Sequence, residues 1–312
     1  MKNAFWISLP VSLLCIYAQA NTITVATTAP PTPAAMTTTG TAALPGASET
    51  SAVSTTVAKP EEKKDAPSVK YALALSAEYD LQAQTQPDGS RTQSMNYMLK
   101  PSLSYGEYTV RVEEYFAQDL QDTKGIGSNS WTDPAFSMSK KAWTVGLFKL
   151  APGAGLVLPF KDSTRNEVGL LYSMSGSLGV SLDTKALAMD AWSFGYQILV
   201  GKTFTQFDTN AKSGNPSADH KFRNRLTFGY KFTDALSFFN LFDFTSAYTV
   251  NGVVTNSFFS LQSLGYDLTD NISISFSHTN GGPYLKGDTY ENNLKLYSEE
   301  DSGYALGIEL DI

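Results

Sequence analysis

Apolar and polar residues alternate without interruption from Gly303 to Ile312. Tyr304, Leu306, Ile308, Leu310 and Ile312 fall on one parity; Gly303, Ala305, Gly307, Glu309 and Asp311 fall on the other. A side-chain period of two puts each set on its own face of a β-strand. One face needs an apolar neighbour, while the other carries residues too small for a packed core and two carboxylates that are costly to bury unpaired. The same pattern recurs upstream. Tyr71, Leu73, Leu75, Ala77 and Tyr79 oppose Ala72, Ala74, Ser76, Glu78 and Asp80. Val168, Leu170, Tyr172, Met174, Leu178 and Val180 oppose Gly169, Ser173, Ser175, Ser177, Gly179 and Ser181. Trp192, Phe194, Tyr196, Ile198 and Val200 oppose Ala191, Ser193, Gly195 and Gln197. Phe222, Leu226, Phe228, Tyr230 and Phe232 oppose Arg223, Arg225, Thr227, Gly229 and Lys231, and Ile272, Ile274 and Phe276 oppose Asn271, Ser273, Ser275 and Ser277. Parity breaks at Glu114, at Asn240 and between Ser257 and Leu268, where one inserted residue, a β-bulge, would restore each strand.

Residues 1–20 read as a secretory signal: Lys2, a mostly apolar stretch from Ala4 to Ala18, and the cleavage site Ala18-Gln19-Ala20. Pro10 and the short apolar length argue against a membrane anchor. Cleavage removes Cys15, the single cysteine, so the mature chain has no disulfide, thiol nucleophile or cysteine-bound metal. Residues 21–68 are rich in Thr, Ala, Pro and Ser and hold few large apolar groups, the composition of a disordered tether. Such a chain reaches roughly 35–40 Å. Nothing after the signal approaches about 18 consecutive apolar residues, so any membrane crossing must be made by strands.

A short repeat sets the hairpin phase. Gly229-Tyr230-Lys231-Phe232-Thr233-Asp234-Ala235-Leu236-Ser237 matches Gly265-Tyr266-Asp267-Leu268-Thr269-Asp270-Asn271-Ile272-Ser273 in pattern. The Thr-Asp pair suits a tight turn, because both side chains can bond nearby backbone amides. With these turns and the terminal strand, the region from Val69 to Ile312 resembles the bacterial outer-membrane porin-like barrels, whose short Tyr-x-Leu-Thr-Asp-Asn-type turns lie on the periplasmic side. The resemblance implies a transmembrane, antiparallel, up-and-down β-barrel over residues 69–312. It also implies contact with outer-membrane lipid and recognition of the C-terminal strand by the outer-membrane assembly machinery. Ile312 departs from the terminal aromatic common in that group.

With the Thr-Asp turns periplasmic, the outer connections fall at Pro87-Asp88-Gly89, Asp122 to Ser139, Lys161 to Glu167, Asp208 to His220, Asn251-Gly252 and Asn280 to Glu300. This alternation gives about twelve strands, or ten if Gly155 to Phe160 is not one. A soluble β-sandwich or lipocalin-like barrel would turn the apolar stripe inward, and periodicity alone does not separate the two. Composition does. Charged residues make up 17% of the chain, against about 25% in soluble domains. The polar faces are rich in Ser, Gly and Ala, and Tyr71, Tyr79, Tyr105, Tyr108, Trp143 and Tyr304 stand near strand ends, where interfacial girdles form.

On the inward parity lie Glu78, Asp80, Lys100, Arg111, Glu113, Arg223, Arg225, Lys231, Asp243 and Glu309, with Asp311 at the end of the last strand. Walls of opposite sign would orient polar solutes across a water-filled lumen, with screening limiting their reach. The same residues could instead pair and fill a barrel of this size. Without Lys2 the 23 Lys+Arg become 22 against 30 Asp+Glu, a formal charge of −8. This acidity includes loops and tether, and points only weakly to cations.

The sharpest catalytic candidate is Ser277-His278-Thr279-Asn280-Gly281-Gly282. It resembles the His-x-Ser-Asn-Gly-like sequence of outer-membrane lipid hydrolases, where an outward histidine activates a serine. Here Asn280 stands at the serine position, and Thr279 points to the other face. Gly201-Lys202-Thr203 lacks the earlier glycine and helix of a phosphate loop. His220 beside Asp219 lacks further metal ligands. Arg223 and Arg225 suit phosphate or carboxylate, but also a solvated wall.

The resulting expectation is a porin-like channel passing ions or small polar solutes, without catalytic residues, cofactor, metal or nucleic-acid partner. A structural or adhesive barrel and a lipid-modifying hydrolase are the alternatives. Homo-oligomerisation stays open, since one sequence does not reveal an interface patch.

Overall fold

The computed structural model describes residues 69–85, 89, 91–121, 129–211, 213–284, 293–299 and 301–312. The expected signal and tether lie outside these described residues. The strand segments are β1 (Val69–Thr85), β2 (Arg91–Tyr105), β3 (Tyr108–Gln121), β4 (Asn129–Trp131), β5 (Ala135–Lys140), β6 (Trp143–Val145) and β7 (Phe148–Val157). They continue as β8 (Leu170–Leu182), β9 (Trp192–Thr205), β10 (Ala218–Lys231), β11 (Leu236–Thr249), β12 (Val254–Asp267), β13 (Ile272–Pro283) and β14 (Ser302–Asp311). No helix among the described residues is long and apolar enough to cross a membrane.

Neighbouring strands pair antiparallel, and β1 pairs with both β2 and β14, closing the sheet. The seam runs to the last residue, where Leu73 and Ile312 exchange backbone hydrogen bonds of 2.9 Å. Segments β4, β5 and β6 share one stave: β4 and β5 lie on β3, while β5 and β6 lie on β7. The result is a closed 12-strand barrel. The doubtful strand at Gly155 to Phe160 is the end of β7, which starts earlier, at Phe148, and stops at Val157.

Three expected connections are shorter than sequence suggested, and Asp208 to His220 gives its last three residues to β10. Asp122 to Ser139 includes β4 and most of β5. Their alternation is masked because the stave breaks at residues 132–134, where Pro134 has no amide to donate. Asp133 leaves the ladder there and accepts the amides of Phe160 and Lys161, each at 2.8 Å. Asn280 to Glu300 likewise loses its first residues to β13, because Gly281 and Gly282 continue the ladder opposite Phe259 and Phe258.

The expected bulges are absent at Asn240 and Ser257 to Leu268, where pairing is continuous; at Glu114 β3 keeps one register with β2, and the extra residue lies in the facing stave, between β4 and β5. Register shifts occur instead at Leu81/Thr85, Gln93/Ser94, Leu170/Tyr172 and Ala218/His220. Glu114 and Asn240 therefore do face outward. On β12 the apparent change of parity arises because both faces carry apolar residues: Phe259 and Leu261 point inward and pack with Phe239 and Leu241. The bulge in β8 turns Leu170 inward and buries it, so that Leu171 takes the outward place expected for Leu170.

Trp192, Phe194, Ile198, Leu226, Ile274, Leu306 and Ile308 are exposed on the outer wall, while Ser, Gly and charged residues face the interior. This inside-out arrangement suits a barrel set in acyl chains. Exposed Tyr71, Tyr105, Tyr108, Trp143, Trp192 and Tyr266 gather at the short-turn end, as an interfacial girdle does.

The two repeated turns are built alike. Thr233 Oγ1 accepts the amides of Ala235 and Leu236, and Thr269 Oγ1 accepts those of Asn271 and Ile272, at 2.9–3.3 Å. The threonines alone make these bonds; Asp234 and Asp270, expected to share them, do not.

At the opposite end, the chain after β13 folds back along the outside. Ser260, Asn280 and Ser302 have outward parity yet are only 1%, 1% and 3% exposed. Residues 293–298 cover them. Asn280 Nδ2 donates to the Lys295 carbonyl, Ser302 Oγ donates to Asn280 Oδ1 at 3.3 Å, and the Ser298 amide donates to Ser302 Oγ at 2.9 Å. Asn293 is tied to Tyr284 and Pro283, and the Tyr297 ring stacks over His278 with centroids 6.0 Å apart.

Candidate functional site

The candidate site is the lumen, and its chemistry follows from strand parity. On β10, Arg223 and Arg225 project inward beside Asp243 of β11. Arg223 Nε donates to Asp243 Oδ1 at 2.9 Å. Arg225 donates to Oδ2 through Nε at 3.2 Å and Nη2 at 2.9 Å. One carboxylate thus serves two guanidiniums. The arginine pair proposed for a phosphate or carboxylate ligand already holds one from its own barrel.

Facing β10 across the barrel, six staves away in either direction, is β2. Its Lys100 is buried and lies within electrostatic reach of Glu113, Glu309, Arg111 and Asp311. Arg111 and Glu113 approach to 4.0 Å, and the Tyr115 hydroxyl donates to Glu113 at 3.4 Å. On β1, Asp80 accepts from Asn96 Nδ2 of β2, while Glu78 Oε1 and Asp80 Oδ1 are buried without a hydrogen-bond partner among the described residues. Glu78 stands opposite Gly307, and Glu309 opposite Ser76, across the seam. Lys231 lies on the inward parity at the short-turn end of β10, away from Arg225 and Asp243. The ten candidates therefore form two separate groups on opposite walls, with Lys231 below the basic one.

Between these walls, β5, β7 and β8 turn Ser137, Ser139, Gly153, Gly155, Ser175, Ser177 and Gly179 inward. Ser175, Ser177 and Gly179 remain partly exposed. Side chains this small leave space that the charged and aromatic walls fill. At the short-turn end of this side, outside the spanning segments, Lys149 Nζ donates to Asp183 at 3.0 Å. That bond holds the Asp183 carboxyl below its ordinary range. The inward cluster of Phe239, Leu241, Phe259 and Leu261 was not anticipated. Its signal was the two-sided apolarity of β12.

The other motifs resolve by geometry. Gly201-Lys202-Thr203 lies inside β9, with Lys202 paired to Asp219, which also bonds His220 at 2.8 Å. His278 is outward, as its parity required, and its Nδ1 lies 2.7 Å from Gln262 Oε1. Its Nε2 has no hydrogen-bond partner among the described residues, so no hydroxyl is placed for activation.

The chain matches no protein family model and no curated protein. Solved structures do resemble it. An outer membrane channel from Pseudomonas putida F1 superposes with a TM-score of 0.51 at 9% identity, over 81% of this chain and 100% of that one. The fold is that of an outer-membrane channel. The NanC porin gives a TM-score of 0.47 at 14% identity, over 76% of this chain and 98% of that one. The KdgM porin gives 0.43 at 8% identity, over 76% and 98%.

Proposed function

We propose that this channel-type barrel sits in the outer membrane and lets ions or small polar solutes diffuse passively through its lumen. The observation that carries this reading is the small-residue wall of β5, β7 and β8, between the charged walls. A barrel filled for stability alone would need larger side chains there. Both signs of charge line the path, which favours polar solutes in general over one ion type. In this reading residues 21–68 tether the barrel on the periplasmic side, and the alternating face of β14 engages the assembly machinery.

The test is reconstitution of the full mature chain into planar lipid bilayers. Stepwise conductance is expected, and Ser177→Trp should lower the unit step by more than half by occupying the small-residue side. Silence across repeated, verified insertions would leave a structural or adhesive barrel as the remaining reading.

A further inference from the structure

Among the described residues, four buried polar atoms without partners lie on the outer side of the barrel, the side that faces lipid. Asn240 Oδ1, Gln262 Nε2 and His278 Nε2 belong to one row, and Asn293 Oδ1 belongs to the covering segment above it. The row follows the ladder across adjacent staves: Phe228, Asn240, Gln262, His278 and Tyr304 are successive cross-strand partners from β10 to β14. Such neighbours have Cβ atoms about 5 Å apart. The His278 Nδ1 contact with Gln262 Oε1 makes Nδ1 the donor, leaving the Gln262 amide hydrogens and the Nε2 lone pair unused.

Polar groups on a lipid-facing wall are costly, and they mark function when they persist. Their depth follows from the strand. His278 stands six residues along from Ile272. At about 3.3 Å per residue and a tilt near 40°, that is roughly 15 Å above the short-turn end, in the upper half of a band about 25 Å tall. Residues 293–298 give a second marker, because irregular backbone is not laid against the wall within hydrocarbon. His278 thus lies in the upper half of the band, directly beneath the covering segment that marks the outer interface, and the row descends from it toward Asn240, four residues into β11.

We propose that this row binds the acylated sugar headgroup of an outer-leaflet glycolipid. The chemistry selects a sugar over a phosphate. The row holds amides and an imidazole but no Lys or Arg, the residues that phosphate recruits. The rings of Tyr297 and Tyr304 flank His278, with centroids 6.0 and 5.4 Å from it, and offer flat faces to the C–H side of a sugar ring. Below the row, Phe276 and Leu264 are exposed for the acyl chains. Sugar hydroxyls and amide-linked acyl carbonyls supply the donors and acceptors that Asn240, Gln262 and His278 lack.

The test uses the full mature chain in phosphatidylcholine nanodiscs containing either lipid A, an acylated glucosamine disaccharide, or phosphatidylglycerol. Bound lipid is counted by mass spectrometry after detergent extraction. Wild type should retain about one lipid A per barrel, and the double variant Gln262→Leu, His278→Leu at least fivefold less. Tyr297→Ala, outside the ladder, should lose about threefold while the barrel keeps its heat-modifiable gel mobility, so the proposal stands even where the double variant misfolds. Equal retention by wild type and Tyr297→Ala, or equal retention of phosphatidylglycerol, overturns it. So does cross-linking of two barrels through this wall in place of lipid.

Discussion

Asp243 is the residue on which the basic wall turns, since it is bonded to both Arg223 and Arg225. Asp243→Asn removes that charge and leaves two cations facing the lumen. The reversal potential in a salt gradient should move toward anion preference, and unfolding should become easier by about 3 kcal/mol, the scale of breaking a buried ion pair. Glu114 poses the opposite case. It faces outward beside Leu99, Phe116 and Trp131 in a groove of about 480 Å³, on a wall where a charge is unfavourable. Glu114→Leu should stabilise the barrel by about 1–2 kcal/mol in urea titrations in lipid vesicles. Parity alone pointed to which charged side chains would turn inward, because a strand has only two faces. It could not say that Asp243 takes both arginines, since that partner comes from the next strand and depends on register. The outward places of Glu114 and Asn240 were in plain view in the sequence, yet bulges were expected because polar groups on this face are uncommon.

The repeated Thr-Asp turns show how an element can be legible for partly the wrong reason. Their position and tightness follow from sequence, but the bonds come from Thr233 and Thr269 alone. Replacing either threonine with valine should cost about 1 kcal/mol, the net value of a hydrogen bond of this kind, whereas Asp270→Ala should change the same denaturant midpoint little. Strands β1, β8, β9, β10, β13 and β14 were readable because one face is strongly apolar and the other is small or polar. The stave made of β4, β5 and β6 was not, because its longest segment is six residues and Asp133 and Pro134 interrupt the alternation. The real bulges carry no sequence mark either. At Leu170 and Leu171 two equivalent residues follow each other, and only pairing with Phe204 and Thr205 of β9 decides which turns inward.

At the scale of the whole molecule, closure and strand number follow from the alternation of short and long connections, and the apolar surface from low charge and small inward residues. What the sequence concealed is the unevenness of the hoop. Most staves are zipped along their length, but the one built from β4, β5 and β6 is held in three pieces between β3 and β7. A closed ring under load deforms where its joints are fewest. Lateral pressure from the surrounding bilayer would therefore flatten the circular cross-section into an ellipse by bending at that stave, and a change in membrane tension would alter the calibre of the interior from one side only.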